Sequence, residues 1–327
     1  MPRVYVTLPV SDPNLTAKDR ERLASFVEVV QHPGENRPTD QEKLDAIRDV
    51  DGIVIGRSGG WLTPEIIDAG ERLRIVGVVG GAVGRSEPEY LLDRGLVLVN
   101  TGWAMSNAVA EFSVTMMLCG LRDVRHMVDV IREKGWGKAR HALDLTGKSV
   151  GLIGFGMIGR RVAEFLAPFH CDVRVYDPYI DEAVVASYGA QQTDLEDLLR
   201  NSFVVSLHLG LTDETRGMLG ERELGWLPDN GLLVNTARAA VVNEGALVSA
   251  LQSGRIRAAL NVFWKEPLAP DHALRDLDNV ILTPHGGGLT HDTMLRHSQG
   301  IVDDLERFFQ GEQPQNVVTR EMLPRMT

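Results

Sequence analysis

Three apolar runs in the C-terminal half of the chain each lead into a residue with chemical capacity. Leu232-Leu-Val-Asn-Thr-Ala leads to Arg238, Ala258 to Phe263 leads to Glu266, and Val280-Ile-Leu-Thr-Pro leads to His285. Taken singly, each has an ordinary reading: Arg238 a structural ion pair, Glu266 a surface turn residue before Pro267, His285 a hydrogen-bonded loop histidine. A buried guanidinium is costly without an anion, so Arg238 calls for a carboxylate or an ion-pair partner. Together, at the carboxyl ends of strands, an anion grip, a proton donor and a supporting carboxylate make up an acid/base constellation, one that would serve hydride transfer if it stood beside a nicotinamide site.

A second stretch supplies the site such chemistry would need. Val150 to Ile153 is a short apolar strand, followed by Gly154-Phe-Gly156-Met-Ile-Gly159 and a helix with Ile158, Val162, Phe165 and Leu166 on one face. Gly154 permits a sharp turn, Gly156 lets backbone approach a pyrophosphate, and Gly159 lets the helix pack close. The free amides and positive dipole end of the helix, beginning at Met157 and Ile158, then face the phosphates. A second strand, Asp172 to Tyr176, ends at Asp177, placed to accept from the hydroxyls of an adenosine ribose. A carboxylate there repels a 2′-phosphate, which favours NAD over NADP. Arg174, three residues earlier, reads as a solvated strand residue.

The elements that carry these groups alternate regularly. Residues 3–8 read as a strand, Thr16 to Val30 as a helix, and His32 to Asp40 as a loop. Gly52 to Gly56, Leu73 to Val79 and Leu96 to Val99 are buried strands, with a helix announced by Thr63-Pro64-Glu65 between the first two. Continuous apolar strands alternating with helices mean parallel sheets covered on both faces. Ligands in such sheets bind at the strands' carboxyl ends, which makes Arg57 to Trp61 and Gly80 to Gly84 candidate substrate loops. Backbone N–H groups at Gly80 and Gly81 are suited to a small anion. Met105 to Val130 reads as one long helix, too apolar for a single exposed face. In the second half, Thr193 is expected to cap a helix through Leu199, and a last helix runs from Thr293 to Phe309 and stops at Gly311.

At 327 residues the chain has room for two domains. A net charge of −11 and the lack of a Lys/Arg cluster argue against a nucleic-acid partner. No run of about 18 uncharged apolar residues suggests a membrane span, and the N-terminus reads as a strand rather than a signal peptide. Cys119 and Cys171 sit among apolar residues and read as buried thiols of a cytoplasmic protein. No metal-ligand pattern stands out.

On Gly154-Phe-Gly-Met-Ile-Gly159 with Asp177, Val205-Ser-Leu-His208, Val234-Asn-Thr-Ala-Arg238, Val262-Phe-Trp-Lys-Glu266-Pro267 and Leu282-Thr-Pro-His285 with Gly287, the chain resembles the D-isomer-specific 2-hydroxyacid dehydrogenase family along its whole length. The resemblance implies an α/β protein of two doubly wound parallel-sheet domains. A Rossmann NAD-binding domain, residues 104–289, is inserted into a flavodoxin-like substrate domain, residues 1–103 and 290–327, with a cleft that closes over the substrate. It implies NAD as cofactor, held by Gly154, Gly156, Met157, Ile158, Gly159, Asp177, His208, Thr212, Thr236, Ala237, Asn261, His285 and Gly287. A 2-oxo acid is interconverted with its D-2-hydroxy acid, bound by Ser58, Gly59, Gly80, Gly81, Arg238 and His285. Arg238 grips carboxylate and carbonyl, His285 is the acid/base, and Glu266 supports it and favours its protonated form. Family members usually form dimers, so a homodimer is expected. Two alternatives stay open: a non-catalytic NAD(H)-sensing binding protein of the same fold, or a dehydrogenase acting on formate, phosphite or a sugar acid.

The departures from the family's pattern carry expectations of their own. Asn261 stands where Asp is common, which keeps an acceptor oxygen but removes a charge near the nicotinamide. Ala239 replaces a glycine, Gly210 replaces a proline and should loosen a loop, and Gly84-Arg85-Ser86-Glu87 replaces an Asp-Asn pattern. Trp61, Trp103 and Trp264 read either as pocket lining or as packing, and Asp292 as the N-cap of the last helix.

Overall fold

A computed structural model of the chain describes residues 1–81, 83–137 and 142–326; Ala82, within the second candidate substrate loop, lies outside them. The chain divides into two compact units, Met1–Met105 with Leu289–Thr327, and Ser106–Gly288.

The first unit begins with β1 (Arg3–Val6), α1 (Ala17–Phe26), β2 (Glu28–Gln31), α2 (Asp40–Ile47), β3 (Gly52–Gly56), α3 (Pro64–Ala69), β4 (Ile75–Val79), α4 (Pro88–Asp93) and β5 (Val97–Asn100). The second unit contains α5 (Ser106–Leu121), α6 (Val124–Arg132), β6 (Ser149–Ile153), α7 (Met157–Leu166), β7 (Asp172–Tyr176), α8 (Glu182–Ser187) and β8 (Gln191–Gln192). It continues through α9 (Leu195–Asn201), β9 (Val204–Leu207), α10 (Glu221–Trp226), β10 (Leu232–Asn235), α11 (Glu244–Gln252), β11 (Arg257–Leu260) and β12 (Val280–Leu282). Helix α12 (His291–Phe309) belongs to the first unit again.

Among the described residues the first unit has a parallel sheet ordered β2-β1-β3-β4-β5, the flavodoxin order. The second has a parallel sheet ordered β12-β11-β10-β9-β6-β7-β8, in which the strand order reverses between β6 and β9. That is the Rossmann arrangement, and the reversal is where such a sheet opens a crevice at its carboxyl edge. Every residue of β3, β4, β9, β10 and β11 is buried, as double coverage requires.

Several elements differ from the sequence reading. The expected helix from Thr16 to Val30 ends at Phe26, because Val27 turns extended and the β-branched Val29 and Val30 pair with β1 as strand β2. The long helix from Met105 breaks at Asp123, which takes a left-handed φ of 54° tolerated by Asp more than by most residues. Gly102–Leu121 is long and apolar enough to cross a membrane by composition. Its helical part, α5, lies in the second unit's core, with Val114, Met116, Met117 and Leu121 buried beside Val150, Val162 and Leu232. Helix α9 is capped by Asp194, whose side chain accepts from Asp197 N–H, while the Thr193 hydroxyl bonds to the Asp197 carboxylate. Helix α12 is capped by Thr290 rather than Asp292, which falls in its first turn. Arg174 is not simply solvated: it pairs with Asp197 at 2.9 Å and Asp172 at 3.3 Å.

Candidate active site

The turn after β6 is fixed by steric necessity. Gly154 has φ +92°, and a Cβ there would lie 2.7 Å from the carbonyl oxygen of His208. A Cβ on Gly159 would lie 2.3 Å from the carbonyl oxygen of Gly154, so α7 approaches the turn only because that side chain is missing. At Gly156 the space is open. Gly156 is the N-cap of α7 and offers no side-chain cap, which leaves the first-turn amides to an anion. Met157, at the tip, is 62% exposed, and Ile158 packs against the core. Phe155 N–H donates to Asp177 Oδ2 at 2.7 Å, and Tyr179 N–H donates to Oδ1 at 3.0 Å. These bonds orient the Asp177 carboxylate, and each oxygen retains a lone pair for a ribose hydroxyl.

His208 stands at the end of β9, across the reversal point from Gly154. Its ring is buried, and among the described residues neither ring nitrogen has a hydrogen-bond partner. Burial pushes its pKa down to about 3, so the ring is neutral, with one donor and one acceptor unmet. An orphaned imidazole beside an uncapped helix terminus is what a dinucleotide-binding crevice leaves when the protein alone is considered. The residues present therefore fit NAD. The following loop is tied despite Gly210: Thr215 Oγ1 donates to the Gly210 carbonyl at 2.8 Å and accepts from Thr212 N–H at 2.8 Å. Thr236 is buried with its hydroxyl 2.7 Å from Ser113 Oγ, and Ala237 N–H donates to Asn235 Oδ1. Asn261 uses both ends of its amide, donating from Nδ2 to Thr283 Oγ1 at 2.9 Å and accepting at Oδ1 from Gly287 N–H at 3.1 Å.

Arg238, Glu266 and His285 come together in the second unit. The loop carrying His285 is clamped on both flanks by Asn261, and His285 itself adopts φ +38°, a left-handed conformation that costs a non-glycine residue energy and is met at functional sites. His285 Nδ1 lies 2.7 Å from Glu266 Oε2 and 2.9 Å from Oε1. A carboxylate only accepts, so Nδ1 carries the hydrogen and Nε2 is the nitrogen left for proton exchange. Phe263 N–H fixes the carboxylate through Oε1 at 3.0 Å. Burial pushes the Glu266 pKa up, but the bonds from His285 and Phe263 and the charges of His285 and Arg238 outweigh it and hold it below the ordinary range. Arg238 opens a 3-10 turn, Ala239–Val241, with Nη1 donating to the Ala237 carbonyl at 2.9 Å. Burial draws its pKa down, and the charge of Glu266 acts the other way. Ala239 is not left-handed, so the missing glycine brings no strain there.

The first unit's candidate residues lie at the carboxyl ends of β3 and β4. The Ser58 hydroxyl donates to the Asp12 carboxylate, and Gly59 is pressed on Thr7, where a Cβ would meet Thr7 Oγ1 at 2.0 Å. Gly80 has φ +100°, and its N–H donates to Thr101 Oγ1 at 2.9 Å. That amide is therefore not available to an anion, which corrects the sequence reading; Gly81 N–H has no acceptor among the described residues. Thr101 Oγ1 is in turn 2.7 Å from Nδ1 of the buried His297. Neither Thr101 nor His297 is visible as a site residue in sequence, since 196 positions separate them. The tryptophans are mostly packing: Trp264 donates to the Val242 carbonyl at 2.9 Å, Trp103 lies against Gly300, and Trp61 carries Arg85 on its face beside a surface cavity of about 440 Å³.

The model of the D-isomer specific 2-hydroxyacid dehydrogenase NAD binding domain matches residues 114–287, more than half of the chain. The chain belongs to this family. It is an NAD-dependent oxidoreductase acting on a CH–OH donor. A glyoxylate reductase of Aeropyrum pernix is 34% identical over 98% of this chain and 97% of its own length. A D-3-phosphoglycerate dehydrogenase of Methanocaldococcus jannaschii is 33% identical over 88% of this chain, but the chain spans only 55% of that relative. The solved structure of a glyoxylate reductase from Paecilomyes thermophila superposes with a TM-score of 0.85 at 25% identity, covering 98% of this chain and 99% of that one.

Proposed function

We propose that the chain reduces a small 2-oxo acid to its D-2-hydroxy acid, with glyoxylate the first substrate to test. The observation that carries this is the Glu266–His285 pair, held 2.7 Å apart in the same unit as the half-buried Arg238. Bound NADH supplies the hydride. Arg238 binds the carboxylate and polarises the 2-oxo group, and its partial burial strengthens that grip. His285 delivers the Nε2 proton to the carbonyl oxygen and recovers it in the reverse direction, while Glu266 stabilises the imidazolium before transfer. Ser58, Gly59 and the Gly80–Gly81 turn serve as the first unit's substrate-binding segments. The small substrate is favoured because the named relatives matched over nearly their full length are glyoxylate reductases. The sensor reading and the formate, phosphite and sugar-acid readings gain no support from these relatives.

The test is NADH oxidation, followed by absorbance, against 2-oxo acids of graded size. The expected outcome is turnover with glyoxylate that falls by roughly a thousandfold in His285→Ala, within the usual range for a lost general acid. NADH binding without turnover of any 2-oxo acid would sink the reading. Two further expectations accompany it. Helix α6 is amphipathic with no buried residue, and Val128, Ile131 and Trp136 are 42%, 56% and 94% exposed. We assign that face to a second copy of the chain, to be checked by sedimentation of Ile131→Asp against the unaltered protein. The two half-buried thiols, Cys119 and Cys171, fit the reducing cytoplasm in which we place the chain.

A further inference from the structure

The Gly80 turn is held by a chain of hydrogen bonds from the far end of the sequence. Gly80 N–H donates to Thr101 Oγ1 at 2.9 Å, and the same oxygen is 2.7 Å from His297 Nδ1. Thr101 and His297 are both buried, at 0% and 4% exposure, so water does not replace these bonds. His297 sits on α12, whose preceding residue, Arg296, donates from Nε to the Ala104 carbonyl at 3.1 Å and so fixes the segment that follows Thr101. At Gly80 itself packing gives no support, since no atom lies within 4 Å of a Cβ built there, while the next residue, Gly81, accepts from Val83 N–H at 2.9 Å. A glycine in open space takes φ of either sign at little cost, so a bond to its amide helps select the left-handed form.

We infer that His297 is a positioning residue for substrate. Through Thr101 it pins the Gly80 amide inward, so that the outward donors of the turn begin at Gly81, where the substrate's carboxylate end is received. This rests on the dehydrogenase reading above and deepens it, since it assigns substrate affinity to a residue that touches neither substrate nor cofactor. The tether needs a polar group at residue 297 that can accept from or donate to the Thr101 hydroxyl. Asn satisfies that requirement in either sense, and Leu does not.

The experiment pairs steady-state kinetics with hydrogen exchange of the peptide spanning Gly80, in the protein without ligands and with NADH and glyoxylate. His297→Leu is expected to raise KM for glyoxylate roughly tenfold, as loss of about one hydrogen bond would, with a smaller change in kcat. NADH affinity should hold, and exchange at Gly80 should quicken. His297→Asn should restore both readouts towards the unaltered protein. Thr101→Val cuts the same link from its other end and serves if His297→Leu does not fold. Unchanged Gly80 exchange in His297→Leu and Thr101→Val would overturn the tether, and an Asn variant as impaired as the Leu variant would reduce His297 to packing. Faster exchange with an unmoved KM would overturn the substrate role. If the unaltered protein turns over no 2-oxo acid, the dehydrogenase reading and the substrate role fall together, and the exchange result still decides the tether.

Discussion

The turn after β6 and the turn after β4 both leave a buried parallel strand through a left-handed glycine, Gly154 at φ +92° and Gly80 at φ +100°. Their surroundings differ. Around Gly154 the backbone is crowded, with the His208 carbonyl where a Cβ would go and Gly159 pressed on the Gly154 carbonyl. Around Gly80 there is open space, and the turn keeps its shape through Thr101 and His297. One turn is specified by what glycine lacks, the other by what distant side chains provide. A pyrophosphate is the same in every nucleotide, which suits a cradle built from backbone alone. A turn held by side chains can be re-aimed by changing them.

Substitutions should separate the two. The largest effect is expected from Gly159→Ala, whose Cβ would stand 2.3 Å from a backbone oxygen that cannot move without distorting β6. A cost of about 3 kcal/mol and loss of NADH binding are expected, from urea unfolding and fluorescence titration. Wild-type-like NADH affinity in that variant would show that the turn has slack. Gly80→Ala meets no atom and should cost only the left-handed strain, about 1–2 kcal/mol, while NADH still binds. A further effect, gradual because it is spread over pH, tests the two buried histidines that stand behind the turns. Burial holds His208 down to about 3 and His297 to about 4, against an ordinary 6.5. The unfolded chain takes up protons below pH 6.5 that the folded chain refuses, so stability is complete above that pH. It should fall as pH drops towards 4.5, by on the order of 1 kcal/mol per pH unit for each histidine. The depressed carboxylates, Asp51, Glu223 and Glu266 among them, add their losses only below about 4.5. A flat urea midpoint between pH 7 and 4.5 would mean that both rings become protonated in place.

The same contrast explains what the sequence made legible. Gly154, Gly156, Gly159 and Asp177 are spaced by local geometry, so motif and structure coincide. Arg238, Glu266 and His285 could be assembled because each ends an apolar run, and in a parallel sheet strand ends gather at one edge. The Thr101–His297 link joins the residue after β5 to α12 and leaves no mark on either segment's pattern. Misplaced boundaries have local causes: a Val-rich run after Phe26 reads as helix until β1 is there to pair with it, and Asp123 breaks a helix by a φ that no periodicity announces. Neighbouring residues able to cap, Thr193 with Asp194 and Thr290 with Asp292 two positions on, can be told apart only by where the first free amides point.

Asn261 binds the flanks of the His285 loop through an amide, donating to Thr283 and accepting from Gly287. An amide neither gains nor loses a proton across the range in which enzymes work. The scaffold that presents the imidazole is therefore indifferent to acidity, and this clamp gives way at no particular pH. Loss of structure in acid then begins elsewhere, at groups such as the buried His208 and His297 that do take up protons.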